Sequence, residues 1–208
     1  MFEYSVDEFK SFPDHDGGNV IIQRNWLIEK YSNMVLTKSD SKFKSFCWRA
    51  PVGSGKTVFL KLIGNELQLR GCDVYYVVAG NLDRYRLDYF LDLAEEANGK
   101  TVVLLVDDVQ NNMNSGHWNA LLKGSKPANL LVIGVGSPSL GIFPPQFDQM
   151  FPGRGEIFPM FFTHDDLPEL IAHFGKNVHY SSDVIINVCN ILLKFTSGHC
   201  FPFVTFMQ

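Results

Sequence analysis

At 208 residues the chain has room for one domain, or for one domain with a small appendage. Hydrophobic residues make up 46% and charged residues 19%, which excludes a disordered segment, and a formal charge of −4 argues against a broad, basic nucleic-acid footprint. No apolar run reaches the ~18 residues of a membrane-spanning helix. The N-terminus, Met1 to Glu8, lacks the basic and apolar blocks of a secretory signal, so a soluble, intracellular chain is expected.

Residues 1–19 read as an irregular lead-in, with turn chemistry at Pro13, Asp14, Asp16, Gly17 and Gly18. Ile22, Trp26, Leu27, Tyr31 and Met34 recur at spacings near three and four, which predicts a helix over 20–35. A polar loop follows at 37–43. Lead-in and helix form a first unit over 1–42.

Ser45 to Arg49 reads as a short buried strand, and the stretch after it is the most informative in the chain. Ala50-Pro51-Val52-Gly53-Ser54-Gly55-Lys56-Thr57 fits the phosphate-binding loop G-x-x-x-x-G-K-[ST], with Ala50 where the first glycine usually stands. Gly53 and Gly55 can adopt positive φ, so successive amides converge into an anion-holding nest at the start of a helix. Pro51 through Val58 are the candidate phosphate-binding residues: Pro51, Val52, Gly53, Ser54, Gly55, Lys56, Thr57 and Val58. Lys56 would reach the β- and γ-phosphates, and the Thr57 hydroxyl would help hold Mg²⁺. A surface loop rich in Gly and Ser is the alternative. A helix beside such a loop often borders the base, which makes Trp26 a candidate there; ordinary core is the simpler reading.

A helix is predicted from Lys56 to Leu69, closed by Gly71. Cys72 to Ala79 is a continuous β-rich run, the mark of a strand buried on both faces of a parallel sheet; strand, helix and strand make one βαβ unit. Asn81 to Asn98 reads as a second helix. Thr101 to Asp108 then places two acids after an apolar strand, at the sheet edge where ligands bind. Beside a phosphate-binding loop this reads as a Walker B segment. Asp107 would hold Mg²⁺ and Asp108 would orient the attacking water; a pair of acids capping the next helix is the alternative. Gln110 to Ser115 is loop-like and Trp118 to Leu122 a short helix. Ala128 to Ser137 is another buried strand, with Ser137 a candidate for sensing the γ-phosphate or a plain loop-entry serine. Gly134 within it points to close backbone approach.

From Pro138 the character changes to a Pro- and Gly-rich, Phe-rich segment. Gly155 to Phe162 is a candidate edge strand, because Pro159 cannot donate to a central ladder. Arg154, between two glycines, is a candidate arginine finger or a plain surface residue. The nucleotide-binding core spans 43–162. Over 163–208, Thr163 caps one helix and Ser181 or Ser182 another; Thr196 to Phe203 stops it and starts a third. The chain ends inside an apolar element, so a partial, truncated helical lid is expected.

The four cysteines, Cys47, Cys72, Cys189 and Cys200, have no C-x-x-C spacing, and the six histidines do not pair with them at zinc spacing. Buried reduced thiols are the expectation at Cys47 and Cys72.

The order of phosphate-binding loop, Asp-Asp strand, further strand ending in Ser, then helices resembles the AAA-like and STAND class of P-loop ATPases. No N-K-x-D base-reading motif follows the acidic strand, which weakens a GTPase reading. Asp107-Asp108-Val109-Gln110, Gly134 to Pro138, Phe161 to Pro168 and Gly198 to Phe203 resemble the NTPase domain of Crinkler effectors. The class implies an α/β fold with a mostly parallel sheet flanked by helices, ATP and Mg²⁺ as cofactors, and hydrolysis. The effector resemblance implies delivery to a host cell and its nucleus. Its nuclease-like domain is not visible here, so nucleic acid is not an indicated partner. Asp108, one methylene shorter than the usual Glu, points to slow turnover. The competing expectation is a non-hydrolysing, nucleotide-gated interaction module that presents the Phe-rich segment to a partner or to another copy. A small-molecule kinase using Arg154 is a third, with no acceptor pocket in the sequence to support it.

Overall fold

The computed structural model describes residues 15–16, 19–38, 45–81, 84–111, 127–137, 160–175 and 180–207. Two short strands, β1 (His15–Asp16) and β2 (Asn19–Val20), pair antiparallel ahead of helix α1 (Asn25–Lys38). The main sheet holds β3 (Ser45–Arg49), β4 (Asp73–Val78), β5 (Val102–Asp107) and β6 (Leu130–Gly136). All of its pairings are parallel, in the order β3-β6-β5-β4. Helices α2 (Lys56–Leu69) and α3 (Arg84–Glu96) connect its strands. Beyond it come α4 (Leu167–Phe174), α5 (Ser182–Thr196) and α6 (Cys200–Met207).

The continuous apolar runs of β5 and β6 are buried at every position because both faces of the sheet are covered. Val103, Leu105, Leu131 and Ile133 pack with Leu27 and Val35 of α1 and Leu60, Ile63 and Leu67 of α2. Alternate residues Val102, Leu104, Val106 and Val132 pack with Phe90 and Ala94 of α3 on the other face. Tyr31, Trp48 and Phe59 meet edge-to-face at 5.5–5.9 Å between centroids and tie α1 and α2 to β3. A third cluster joins Leu170, Phe174, Ile185, Cys189, Leu193 and Phe203 of the C-terminal helices to Phe162 and to Ile22.

Several expectations are corrected. The first helix starts at Asn25, not residue 20, because Arg24 sits at φ 51 and breaks it; Ile21 and Ile22 are not helical and point into apolar surroundings. Part of the lead-in, 15–16 and 19–20, is a hairpin. The βαβ unit exists, but its strands β3 and β4 lie at opposite edges of the sheet, with β6 and β5 between them. Met160 to Phe162 do not form an edge strand. They meet the start of α6 instead: Phe162 donates its amide to the Gly198 carbonyl at 2.7 Å. The rest of that proposed strand, the helix at Trp118 to Leu122 and Arg154 lie outside the described residues.

Candidate functional site

Parallel pairing brings the C-terminal ends of three strands to one edge. Arg49 of β3 stands opposite Gly136 of β6, and the Ala50 amide continues the ladder to the Gly136 carbonyl at 3.1 Å. On the other side of β6, Val106 of β5 faces Gly134. The phosphate-binding loop, Asp107 and Ser137 therefore leave the same edge, with β6 between the loop strand and the acidic strand.

The loop is closed upon itself. Gly53 and Gly55 have φ of 73° and 87°, as a nest of converging amides requires. Gly55 is the N-cap of α2 and supplies no side-chain cap, so the positive end of that helix opens on the loop. Both the Ser54 hydroxyl (2.7 Å) and the Lys56 Nζ (2.7 Å) donate to the Pro51 carbonyl. Lys56 is buried, and desolvation lowers its pKa; the nearby charges of Asp108 and Asp107 oppose that shift, which places both acids within electrostatic reach of the loop. Thr57 is exposed at the first turn of α2, beside Val58.

Asp107 is buried at 4% exposure and both its oxygens are engaged. Tyr76 of β4 donates its hydroxyl to Oδ2 at 2.8 Å, and the Asp108 amide donates to Oδ1 at 2.9 Å. Asp108 takes φ 51 and turns the chain into a short 3-10 segment at Val109–Asn111. Its Oδ1 accepts from Gln110 Nε2 at 3.1 Å, and Gln110 Oε1 accepts from the Ser137 amide at 3.0 Å. A Thr hydroxyl and one buried carboxylate suit Mg²⁺, which takes few protein ligands and completes its shell with phosphates and water. Among the described residues no cluster of three or more His, Cys, Asp or Glu offers an all-protein cage.

A cavity of about 290 Å³ opens beside the loop. Main chain of Gly53 to Gly55 forms one wall, Val58 and Leu62 of α2 a second, and Ile21, Met160, Phe162 and Cys200 close it. Cys200 Sγ donates to the Met160 carbonyl at 3.0 Å, and burial pushes this thiol up to about 11, so it stays protonated. Trp26 does not line this cavity. It packs on the main core and donates its indole N–H to Asp166 at 2.8 Å, so the core reading holds.

Sequence patterns did not single out Tyr76 or Arg24, nor the roles of Gln110, Asp166 and Glu169. Arg24, buried, makes a two-pronged ion pair with Asp166 (2.9 and 3.0 Å) and donates to the Met160 and Phe161 carbonyls. Glu169 of α4 accepts the Arg24 and Asn25 amides at 2.5 and 2.7 Å, capping α1 from a distant part of the chain. The capping box of Thr163 with Asp166 was the only local signal there.

No protein-family model and no curated protein sequence matches the chain. Among solved structures it is similar to AMPPCP-bound DnaA from Aquifex aeolicus, with a TM-score of 0.52 and 19% identity. That match covers 82% of this chain and 58% of the other, so the chain spans little more than half of that DnaA. The likeness is one of fold: an α/β architecture with a parallel four-stranded sheet flanked by helices. Katanin, from a structure of its self-assembly, also matches over 85% of this chain and 70% of that one (TM-score 0.49, 12% identity). C. elegans PCH-2 matches over 91% and 69% (TM-score 0.48, 13% identity). Among the described residues no helix is long and apolar enough to cross a membrane.

Proposed function

We propose that the chain binds ATP with Mg²⁺ and hydrolyses it slowly. Lys56 and the amides of Pro51 to Val58 take the phosphates, and Thr57 and Asp107 hold Mg²⁺, directly or through water. Asp108 orients water and Ser137 lies beside the terminal phosphate. The apolar cavity takes the base. The observation that carries this reading is the convergence at one sheet edge: a glycine nest at a helix start, a buried Lys56 that feels both acids, and an adjoining cavity near the ~300 Å³ lower bound of small-molecule sites. The similar DnaA structure holds AMPPCP, an ATP analogue, which favours the same ligand class here.

The test is equilibrium binding of labelled ATP and GTP, with and without Mg²⁺, together with phosphate release. Lys56→Ala should weaken Mg-ATP binding on the order of a hundredfold, the scale of losing a charged partner in a buried pair. Asp108→Ala should bind but release no phosphate. Unchanged release in both variants ends the reading. Arg154, if it reaches a neighbouring copy's nucleotide, makes turnover depend on protein concentration, and Arg154→Ala removes that dependence.

A second reading, a non-hydrolysing switch, is favoured by the short Asp108 carboxylate being hydrogen-bonded by Gln110. Tight Mg-ATP binding with no phosphate release would select it, with the Phe-rich segment as the surface offered to a partner.

The finer reading is the NTPase module of a Crinkler-type effector. Its support is the pair of strings Phe161 to Pro168 and Gly198 to Phe203, which meet in space: Phe162 stacks edge-on to Phe203 at 5.3 Å and Phe161 lies 5.6 Å from His199. A tagged protein expressed in a host cell should accumulate in the nucleus; exclusion from it removes this assignment.

A further inference from the structure

We propose that Gln110 is a positioning residue that fixes the Asp108 carboxylate and ties it to the end of β6. The inference rests on the ATPase reading above. Both ends of the Gln110 carboxamide are used: the NH₂ group donates to Asp108 Oδ1 and the oxygen accepts from the Ser137 amide. Reversing the amide would set oxygen against carboxylate and N–H against N–H, so its orientation is dictated by its partners.

The seat for this side chain is built into the neighbouring strand. Asp108 at φ 51 swings the chain over β6, and the turn is closed by the Asn111 amide on the Asp108 carbonyl at 2.9 Å. Val109, 3% exposed, plugs the turn into the sheet. A Cβ at Gly134 would meet Val109 Cγ1 at 2.8 Å; a Cβ at Gly136 would meet Val109 Cγ2 and Gln110 Oε1, both at 2.8 Å. Glycine at these two places lets the Val109-Gln110 turn lie flat against β6. A glutamine facing solvent would need no such clearance.

The chemical consequence follows from the length of Asp108. Its carboxylate stands one methylene closer to the backbone than a Glu would, so its direction must come from outside. The Gln110 hydrogen bond fixes one oxygen, and with it the plane of the group. Because the same amide holds Ser137, displacement at the end of β6 reaches Asp108 through a single side chain.

The experiment compares the unsubstituted protein with Gln110→Ala and Gln110→Glu, reading Mg-ATP affinity and kcat separately. Gln110→Ala should lower kcat by about tenfold or more while affinity changes less than about twofold, the split of a group that matters to the transition state and not to binding. Gln110→Glu keeps the shape and the acceptor for Ser137 but sets a carboxylate against Asp108. The added charge repels the Asp108 carboxylate and removes its hydrogen bond while the Ser137 contact is kept, so kcat should again fall by about tenfold or more with affinity changed less than about twofold. This second variant carries the test if the alanine variant fails to fold. A wild-type kcat in Gln110→Ala or in Gln110→Glu, or a loss of affinity as large as the loss in kcat, overturns the inference alone. No turnover in the unsubstituted protein overturns the hydrolysis reading and this inference with it.

Discussion

Asp107 is held at both carboxylate oxygens. The Tyr76 hydroxyl holds one oxygen and the Asp108 amide the other, while Lys61 Nζ lies 5.4 Å from the centre of the Tyr76 ring. Tyr76→Phe removes the hydroxyl and keeps the ring under Lys61. It should weaken the Mg²⁺ dependence of ATP binding by about tenfold, the low end of what outer-shell partners of metal ligands contribute. A Mg²⁺ titration at fixed ATP checks this, and an unchanged midpoint would deny Tyr76 the role. Burial, then the Asp107 charge and its hydrogen bond, raise the Tyr76 pKa well above its ordinary 10.0. The neutral form is favoured in the folded protein, so its stabilising contribution is whole below the unfolded value and declines as pH rises from there toward the folded one. The Mg²⁺ midpoint should therefore show no loss from tyrosine ionisation up to about pH 10. Motif spacing singled out Lys56, Thr57, Asp107 and Asp108, and parallel pairing brings their loop and strand to one sheet edge. Tyr76 was one aromatic in a buried β run, and only the β4–β5 register, with Tyr76 opposite Leu105, brings it within reach of Asp107.

Element ends were legible where the signal is local. Helix α2 runs from Lys56 to Leu69 as its sequence predicts, with Gly55 before it and Gly71, at φ 85, after it. Thr163 takes the N-cap of a 3-10 turn, His164–Asp166, that leads into α4; of the two serines offered for α5, Ser181 is the N-cap; and Ser197 and Gly198 reverse the chain between α5 and α6. The start of α1 was not legible, since its cap is Glu169, 145 residues from Arg24. Nor was the fate of Met160 to Phe162: their β-like composition serves a backbone contact to Gly198. That contact yields a prediction about the C-terminal helices. Gly198 sits at φ 74 and an added Cβ would come within 2.1 Å of the Phe162 carbonyl oxygen, which is backbone and cannot swing aside. Gly198→Ala should cost about 3 kcal/mol, combining the left-handed penalty with overpacking. Urea unfolding measures it. A loss under about 0.5 kcal/mol, the scale of neutral surface changes, would show that the joint is not as tight as described.

Across the whole molecule, a buried ion pair joins the segment before α1 to the residue that precedes α4. Arg24 and Asp166 are 7% and 0% exposed at their side chains, and the carboxylate also accepts from Trp26 and from the Thr163 amide at 2.7 Å. Arg24 also lies 5.4 Å from the centre of the Phe162 ring, and both residues line the cavity assigned to the base. The pair thus holds together elements that line the cavity beside Gly53 to Gly55. Asp166→Ala leaves a guanidinium buried without its counter-ion, a change that costs about 3–5 kcal/mol. For a chain of this size each kcal/mol lowers the melting temperature by about 2–4 °C, so a drop of about 10 °C is expected. Ligand linkage separates packing from binding. At a hundredfold excess over Kd, Mg-ATP should stabilise the unsubstituted protein by about 2.7 kcal/mol. The same ATP concentration should stabilise Asp166→Ala less, because the walls that meet the base are no longer tied. A melting temperature unchanged by the substitution would remove the structural role. An equal nucleotide-induced rise in both proteins would remove the link between the ion pair and the pocket, leaving the pair a matter of folding alone.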